Sequence, residues 1–93
     1  MIRTFRDRRT EEVFAGTVPR RFPADLVRRA QLQLVVLHNA QELGDLRTPP
    51  GNRLEALRGD RRGQHSIRIN DQWRICFRWS DGGAEGVEIV DYH

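Results

Sequence analysis

The stretch that decides the fold runs from position 73 to position 79 and reads Trp73-Arg74-Ile75-Cys76-Phe77-Arg78-Trp79. A large apolar side chain stands at every second position, and arginine or cysteine fills the positions between. Because successive side chains of a β-strand point to opposite faces, this alternation predicts a strand with one apolar face and one basic face. The apolar face needs a packing partner, and the basic face is the first candidate for a functional surface.

Weaker patterns predict further strands around this one. The segment 64–70 alternates in the same way, with His65, Ile67 and Ile69 on one face. Ser66 and Arg68 then lie on the other face. The remaining predicted strands are 53–57, 86–90 and a short edge strand at 2–5. Turn-rich sequence at 59–63, 70–72 and 81–83 predicts the connections between strands.

Two helices are predicted before the strands. The longer spans 23–43, where apolar residues recur at intervals of three and four as they do along the buried stripe of an amphipathic helix. The stripe consists of Leu26, Val27, Ala30, Leu34, Val36, Leu37, Ala40 and Leu43. A shorter helix is predicted at 10–15, with Gly16 as its stop. Helices followed by consecutive antiparallel strands indicate an α+β fold, with N-terminal helices, one of them long, packed on one face of a small, mainly antiparallel twisted sheet.

Length and composition exclude several classes. The 93 residues suit a single domain over 1–93, and one cysteine, Cys76, excludes a disulfide framework or a zinc site of paired cysteines. No apolar run reaches the roughly 18–20 residues that span a bilayer, and the N-terminus does not resemble a signal peptide. We therefore expect a cytoplasmic protein with no membrane association. We also expect that the protein requires no cofactor and no metal.

The cations of this chain are all arginine: sixteen Lys+Arg residues include no lysine, and the net charge is +3. Genome base composition could produce this bias, and so could recognition of phosphate, which the planar guanidinium binds in bidentate fashion. The predicted sheet places Arg68, Arg74 and Arg78 on the face opposite the apolar residues. Such a face could hold a phosphodiester backbone or could simply be solvated, and the pattern alone leaves both open.

Candidate catalytic groups stand at the end of the chain, in the sequence Asp91-Tyr92-His93. His65 and Cys76 are further candidates, although packed, structural roles suit both residues, and His38 in the long helix is expected to be structural. With no metal-ligand spacing, any catalysis would be acid–base chemistry assisted by arginine. That chemistry suits RNA cleavage by the 2′-hydroxyl, in which a base removes the 2′ proton and an acid protonates the departing 5′ oxygen.

Three segments of the chain resemble the HigB toxins, which belong to the RelE/ParE superfamily of type II toxin–antitoxin modules. The first is 49–57, beginning Pro49-Pro50-Gly51-Asn52. The second is 63–77, which contains Trp73-Arg74. The third is 87–93, which ends in Asp91-Tyr92-His93. The N-terminal residues 1–5 and the region 40–46 also fit, so the resemblance covers essentially the whole chain.

This resemblance implies a RelE-like ribosome-dependent endoribonuclease that cleaves translated mRNA in the A site of the small subunit of the 70S ribosome. It implies a HigA-like helix-turn-helix antitoxin as a partner, with DNA contacted only indirectly through that antitoxin. The implied catalytic residues are Asp91, Tyr92, His93, Arg74, Glu55 and His65. Among the candidate RNA-binding residues, for mRNA and rRNA, Arg58 matches the family motif. Strand alternation adds Arg68 and Arg78, and the basic loop adds Arg61 and Arg62.

The chain departs from the family pattern at Glu55, where some HigB toxins have a catalytic histidine. A carboxylate there could act as the base, or His65 could replace it from the next strand. Two other functions remain open at this point. ParE-like toxins share the fold but inhibit DNA gyrase, and a non-catalytic module would bind only an antitoxin or rRNA.

Overall fold

The computed structural model describes residues 1–92, and His93 lies outside the described residues. Two α-helices, α1 (Arg8–Phe14) and α2 (Ala24–Asn39), precede four strands. The strands are β1 (Glu55–Ala56), β2 (His65–Arg68), β3 (Trp73–Ser80) and β4 (Gly83–Asp91). Short 3₁₀ helices occupy Leu43–Arg47, Pro50–Asn52 and Gly59–Arg61. The strands form one antiparallel sheet in the order β1-β2-β3-β4, which confirms the α+β prediction.

The helices cover one face of this sheet, which we call the inner face. Its residues pair across strands, as Ile67 does with Ile75 and Ile75 with Ile89, so each row of the sheet adds aliphatic side chains to one core. The core joins them to Leu26, Ala30, Leu34 and Leu37 of α2. The alternation that predicted β3 is therefore confirmed: Ile75 and Phe77 are fully buried, and Trp73 and Trp79 pack at the margin.

The long helix ends earlier than predicted. It stops at Asn39 rather than at 43, because Ala40 turns to extended geometry. The carboxylate of Asp45 accepts hydrogen bonds from the backbone N–H groups of Gln41 and Glu42, which caps the 3₁₀ helix that follows. The predicted stripe was also too wide, since Val36 is 36% exposed on the outer side of α2.

The N-terminal segment lies alongside β4 in parallel orientation. Ile2 and Phe5 form single bridges with Ala84 and Val87, so the predicted edge strand exists only as these two contacts. The next element, α1, is capped by Asp7, whose side chain accepts from the Thr10 N–H at 2.9 Å. These contacts place the N-terminal segment and α1 along the β4 edge of the sheet.

A bulge in β4 determines which acidic residues of β4 lie on the same side of the sheet as Cys76 and Arg78. Cys76 pairs with Glu88, but Arg78 pairs with Glu85, so β4 contains one extra residue between these two pairs. Gly86 has a φ of 60°, left-handed geometry that glycine adopts without steric cost. Both glutamates consequently face the same side as Cys76 and Arg78.

Across the described residues, no helix combines the length and the apolar character that a membrane crossing requires.

Candidate active site

The sheet face opposite the helices, the outer face, is closed over at its centre rather than open to solvent. Ser66 and Cys76 are fully buried there, and Arg74 is only 8% exposed. For Arg74, the alternative of a solvated outer face is therefore wrong. The reason is that residues of the segment before β2 reach over this face, with the Arg53 carbonyl and the Arg61 side chain making contacts to it.

Arg74 is held from several directions. Its Nε donates to the Ser66 Oγ at 2.7 Å, and its Nη2 donates to the carbonyl oxygen of Arg53. Its Nη1 lies 3.5 Å from a carboxylate oxygen of Glu55, and its guanidinium carbon lies 5.7 Å from the centre of the Tyr92 ring. A guanidinium fixed on its inner side in this way presents its remaining N–H groups in one orientation.

A pocket of about 260 Å³ opens in front of Arg74. Its lining residues come from four segments and are Arg53, Glu55, Arg68, Asn70, Asp71, Arg74 and Tyr92. A second concavity along β1 shares Glu55 and Tyr92 with it and extends to Arg58. Together the two form a groove across the end of the outer face, which we call the Arg74 groove.

The two described residues of the terminal motif, Asp91 and Tyr92, lie on opposite sides of the sheet. Asp91 pairs with Trp73, which places it on the inner-face side, and its carboxylate accepts from the Gln72 side chain at 3.1 Å. Tyr92, one residue further, lines the Arg74 groove. The prediction for His93 lies outside the described residues. Strand alternation thus separates two neighbours that the motif presents together.

His65 lies away from Arg74. It pairs with Phe77 across β2 and β3, and the two rings stack with centroids 6.4 Å apart and an angle of 25° between planes. This is the inner-face position that alternation predicted. Its Nδ1 is buried and has no hydrogen-bond partner within residues 1–92. The structure therefore brings Glu55, Arg74 and Tyr92 together and leaves His65 and Asp91 on the other side of the sheet.

The five arginines predicted to bind RNA occupy different settings. Arg68 lines the Arg74 groove and forms an ion pair with the fully exposed Asp71, and Arg58 lies exposed where the groove extends. Arg62 and Arg78 are exposed, and the Arg78 guanidinium lies against Gly63. Only the first two therefore line this groove.

Arg61 has a structural partner. Its Nη1 donates to the Glu88 carboxylate at 2.8 Å, and this hydrogen bond raises the pKa of the Arg61 guanidinium. Arg6 approaches the same carboxylate at 3.7 Å. Glu88 therefore ties the loop before β2 and the N-terminal segment to β4.

Cys76, which pairs with Glu88 across β3 and β4, is a fully buried thiol. Burial raises its pKa, and the nearby Arg61 lowers it by a smaller amount. A thiol held in its neutral form is a packed side chain rather than a nucleophile. This agrees with the structural alternative for Cys76.

Two groups that position Arg74, the Ser66 hydroxyl and the Arg53 carbonyl, were not predicted from the sequence. A signal for Ser66 was present in the sequence. The tight connection at 70–72 places Arg68 opposite Arg74, and Ser66, two residues before Arg68, therefore lies next to Arg74 on the same face of the sheet. No sequence signal marks the Arg53 carbonyl, since a main-chain acceptor carries no residue-specific pattern.

Comparisons with known proteins identify the family and agree with this fold. A family model described as "RelE-like toxin of type II toxin-antitoxin system HigB" matches residues 3–93. The chain is 40% identical over 81 residues to Toxin HigB-1 of Vibrio cholerae serotype O1, covering 86% of this chain and 85% of that protein. It is 33% identical to Endoribonuclease HigB of Proteus vulgaris over 93 residues, the full length of both.

A solved structure, the YoeB-YefM complex from Staphylococcus aureus, shares the fold. The TM-score is 0.62 at 15% sequence identity, covering 100% of this chain and 98% of that chain. The family match spans nearly the whole sequence, and it includes the residues that form the Arg74 groove. The chain therefore belongs to the HigB-like family of RelE-like toxins of type II toxin–antitoxin systems.

Proposed function

We propose that this toxin is a ribosome-dependent endoribonuclease that cuts translated mRNA in the ribosomal A site, by acid–base chemistry that uses no metal. The name of the Proteus vulgaris relative supports the enzyme class. The single observation that carries the proposal is the fixed guanidinium of Arg74 between Glu55 and Tyr92. A fixed cation can stabilise charge on the phosphate and a carboxylate can remove the 2′ proton, while an aromatic ring can stack against a nucleotide.

Arg74 binds the scissile phosphate. Its inner N–H groups are committed to Ser66 and Arg53, so the guanidinium cannot turn away when a phosphate enters the pocket. Negative charge grows on the phosphate oxygens as the fifth bond to phosphorus forms. A donor that is already oriented stabilises this charge without reorganising, which is the main contribution of such groups to catalysis.

Glu55 is the general base. Its carboxylate is half exposed and adjoins the Arg74 side chain, so a phosphate on Arg74 brings the neighbouring 2′-hydroxyl toward it. The carboxylate takes the 2′ proton while the 2′ oxygen bonds to phosphorus and the bond from phosphorus to the 5′ oxygen breaks. The products are a 2′,3′-cyclic phosphate and a 5′-hydroxyl, the latter after protonation by an acid.

The C-terminal residues supply the acid side of the reaction. β1 and β4 form the two edges of the sheet, so Glu55 and the end of β4 flank Arg74 on opposite sides. Tyr92 stacks against the nucleotide. We assign protonation of the 5′ oxygen to His93, which the family resemblance implies is a catalytic residue. Asp91, held by Gln72, positions this terminal segment.

The substrate complex is the translating 70S ribosome, and the arginine-rich surface supports attraction to rRNA. Sixteen arginines against thirteen acidic residues give a net charge of +3, and cations that are all arginine suit phosphate contacts. Arg58 and Arg68 contact mRNA in the groove, and Arg61, Arg62 and Arg78 contact rRNA. A HigA-like helix-turn-helix antitoxin neutralises the toxin in the cytoplasm and provides its only link to DNA.

Mapping mRNA 5′ ends after induction of the toxin in cells tests the proposal. We expect new ends within coding regions, in frame with the codons, and their disappearance when the start codon of a reporter is removed. An Arg28→Gln variant, altered outside the groove, should give the same cuts. Growth arrest with intact mRNA would contradict the proposal, and loss of DNA supercoiling in those cells would assign the toxin to the gyrase-inhibitor class instead.

A further inference from the structure

A second pocket adjoins the Arg74 groove at the end of the sheet where β2 turns into β3. It has a volume of about 290 Å³ and is lined by Arg29, Leu32, Gln33, Gly51, Arg68 and Ile69. Arg68 lines both this pocket and the Arg74 groove, so the two concavities are neighbours that share one cation. We call it the α2 pocket, because half of its lining belongs to α2.

The floor of the α2 pocket is fixed by a hydrogen-bond chain. The Gln33 side chain donates to the Arg68 carbonyl at 2.8 Å and to the Asn52 side-chain oxygen at 3.1 Å. The buried Asn52 in turn donates to the carbonyls of Leu46 and Thr48. Gln33 is thus a tether between α2 and β2. A preformed floor lowers the ordering cost of binding a ligand.

The lining has the chemistry of a nucleotide site. Among its described residues two are arginines, none is acidic, and Leu32 exposes 63% of its surface beside Ile69. Within residues 1–92 the ion-pair partner of Arg68 is the fully exposed Asp71, which a phosphate displaces at small cost because exposed ion pairs are weak. A cation shared between pockets suits a phosphodiester that links one nucleotide to the next.

We propose that the α2 pocket binds a nucleotide adjacent to the scissile linkage, with Arg29 on its phosphate and Leu32 against its base or ribose. This inference rests on the proposed function, since it takes the Arg74 groove as the cleavage site. RNA then crosses from the Arg74 groove past Arg68 onto α2. The pocket contributes to substrate affinity and not to the chemical step.

Two substitutions with matched controls test the α2 pocket. Arg29→Gln removes a lining cation, and Arg28→Gln removes the neighbouring exposed cation of α2, which does not line the pocket. Gly51→Leu fills the pocket without changing charge, and Gly44→Leu is its control, since an added Cβ meets nothing within 4 Å at either glycine. Thermal unfolding should show that all four variants fold.

Cleavage of mRNA on programmed ribosomes separates affinity from chemistry. We expect Arg29→Gln, which loses a charge-assisted contact, and Gly51→Leu, which blocks the pocket, each to raise KM about tenfold with kcat within twofold of the wild type, because both act on binding before the chemical step. Both controls should keep the wild-type KM. Equal effects of Arg29→Gln and Arg28→Gln, or a fall in kcat alone, would overturn the inference.

Binding of a single-stranded RNA oligonucleotide with 2′-O-methyl riboses tests the pocket without cleavage. Arg29→Gln should weaken binding and lower the slope of log affinity against log salt by about 0.7, the value for one phosphate contact on a single strand. If the wild type binds but never cuts mRNA, the proposed function fails while this comparison still decides the pocket. Binding that is absent, or unchanged by Arg29→Gln and Gly51→Leu, would refute the pocket.

Discussion

The carboxylate of Glu55 lies 3.5 Å from the guanidinium of Arg74, and the two side chains differ sharply in exposure: 53% for Glu55 and 10% for Arg74. An ion pair with one exposed partner is screened by solvent and contributes little to stability. The cation is anchored, whereas the anion is free to move. A substrate phosphate can therefore take the place of the carboxylate on Arg74 and leave Glu55 available beside it.

Replacing Glu55 tests its role as the base. Glu55→Gln keeps the size of the side chain but cannot accept a proton, so we expect kcat on programmed ribosomes to fall about 10²-fold or more with little change in KM. Glu55→His restores a base and should recover most of the activity. Because an imidazole binds its proton at a higher pH than a carboxylate does, the acid limb of the rate profile should move to higher pH.

A wild-type kcat for Glu55→Gln would show that the carboxylate only neutralises Arg74 in the free enzyme. Loss of activity in Glu55→His together with Glu55→Gln would point instead to a positioning role for this side chain. The thermal unfolding of both variants should stay close to that of the wild type, since an ion pair whose carboxylate is half exposed is screened by solvent and contributes little to stability.

Arg74→Lys tests the fixed guanidinium. Lysine keeps the charge but cannot contact Ser66, Arg53 and a phosphate at once, so we expect kcat to fall about 10²-fold. Arg74→Ala should abolish growth arrest and also lower the free energy of unfolding by about 1–3 kcal/mol, because Ser66 loses a buried partner. Urea denaturation separates the two effects. Full toxicity of the folded Arg74→Ala variant would rule out this site.

Tyr92 is expected to act through its ring. It lies 5.7 Å from the Arg74 guanidinium and is 44% exposed, so its face is accessible to a base. Tyr92→Phe should retain nearly wild-type cleavage, whereas Tyr92→Ala should raise KM roughly tenfold through loss of a stacking contact. A large loss of cleavage activity in Tyr92→Phe would instead show that the hydroxyl of Tyr92 is required.

His65 provides the contrasting case on the inner face. Its buried Nδ1 has no hydrogen-bond partner in the described part of the chain, so His65→Leu removes an unpaired polar atom from the core edge. We expect cleavage within twofold of the wild type and a free energy of unfolding that is unchanged or higher. A loss of kcat with normal folding would return His65 to the list of catalytic residues.

Strand alternation predicted the inner core and the face on which Arg74 lies, because both follow from the geometry of β3 and its neighbours. The same rule, applied to β4, separates Asp91 from Tyr92, yet the contiguous motif suggested one cluster. The burial of Arg74 was not predictable, since it depends on the Arg53 carbonyl and the Arg61 side chain, which reach the outer face from the segments on either side of β1 and follow no periodic pattern. The early end of α2 depends on Asp45, whose capping competes with helix propensity.

Cys76 gives the structure a measurable dependence on pH. Burial raises the pKa of its thiol, so the folded protein favours the neutral form. This contribution to stability is complete below the pKa of an unfolded thiol, about 8.5, and is lost as the pH rises through the higher folded value. The free energy of unfolding of the wild type, minus that of Cys76→Ala, should therefore fall between pH 7 and pH 10, by at most about 1.4 kcal/mol per pH unit. Urea denaturation of the two proteins at several pH values measures this difference, and a constant difference would mean that the thiol is accessible to water.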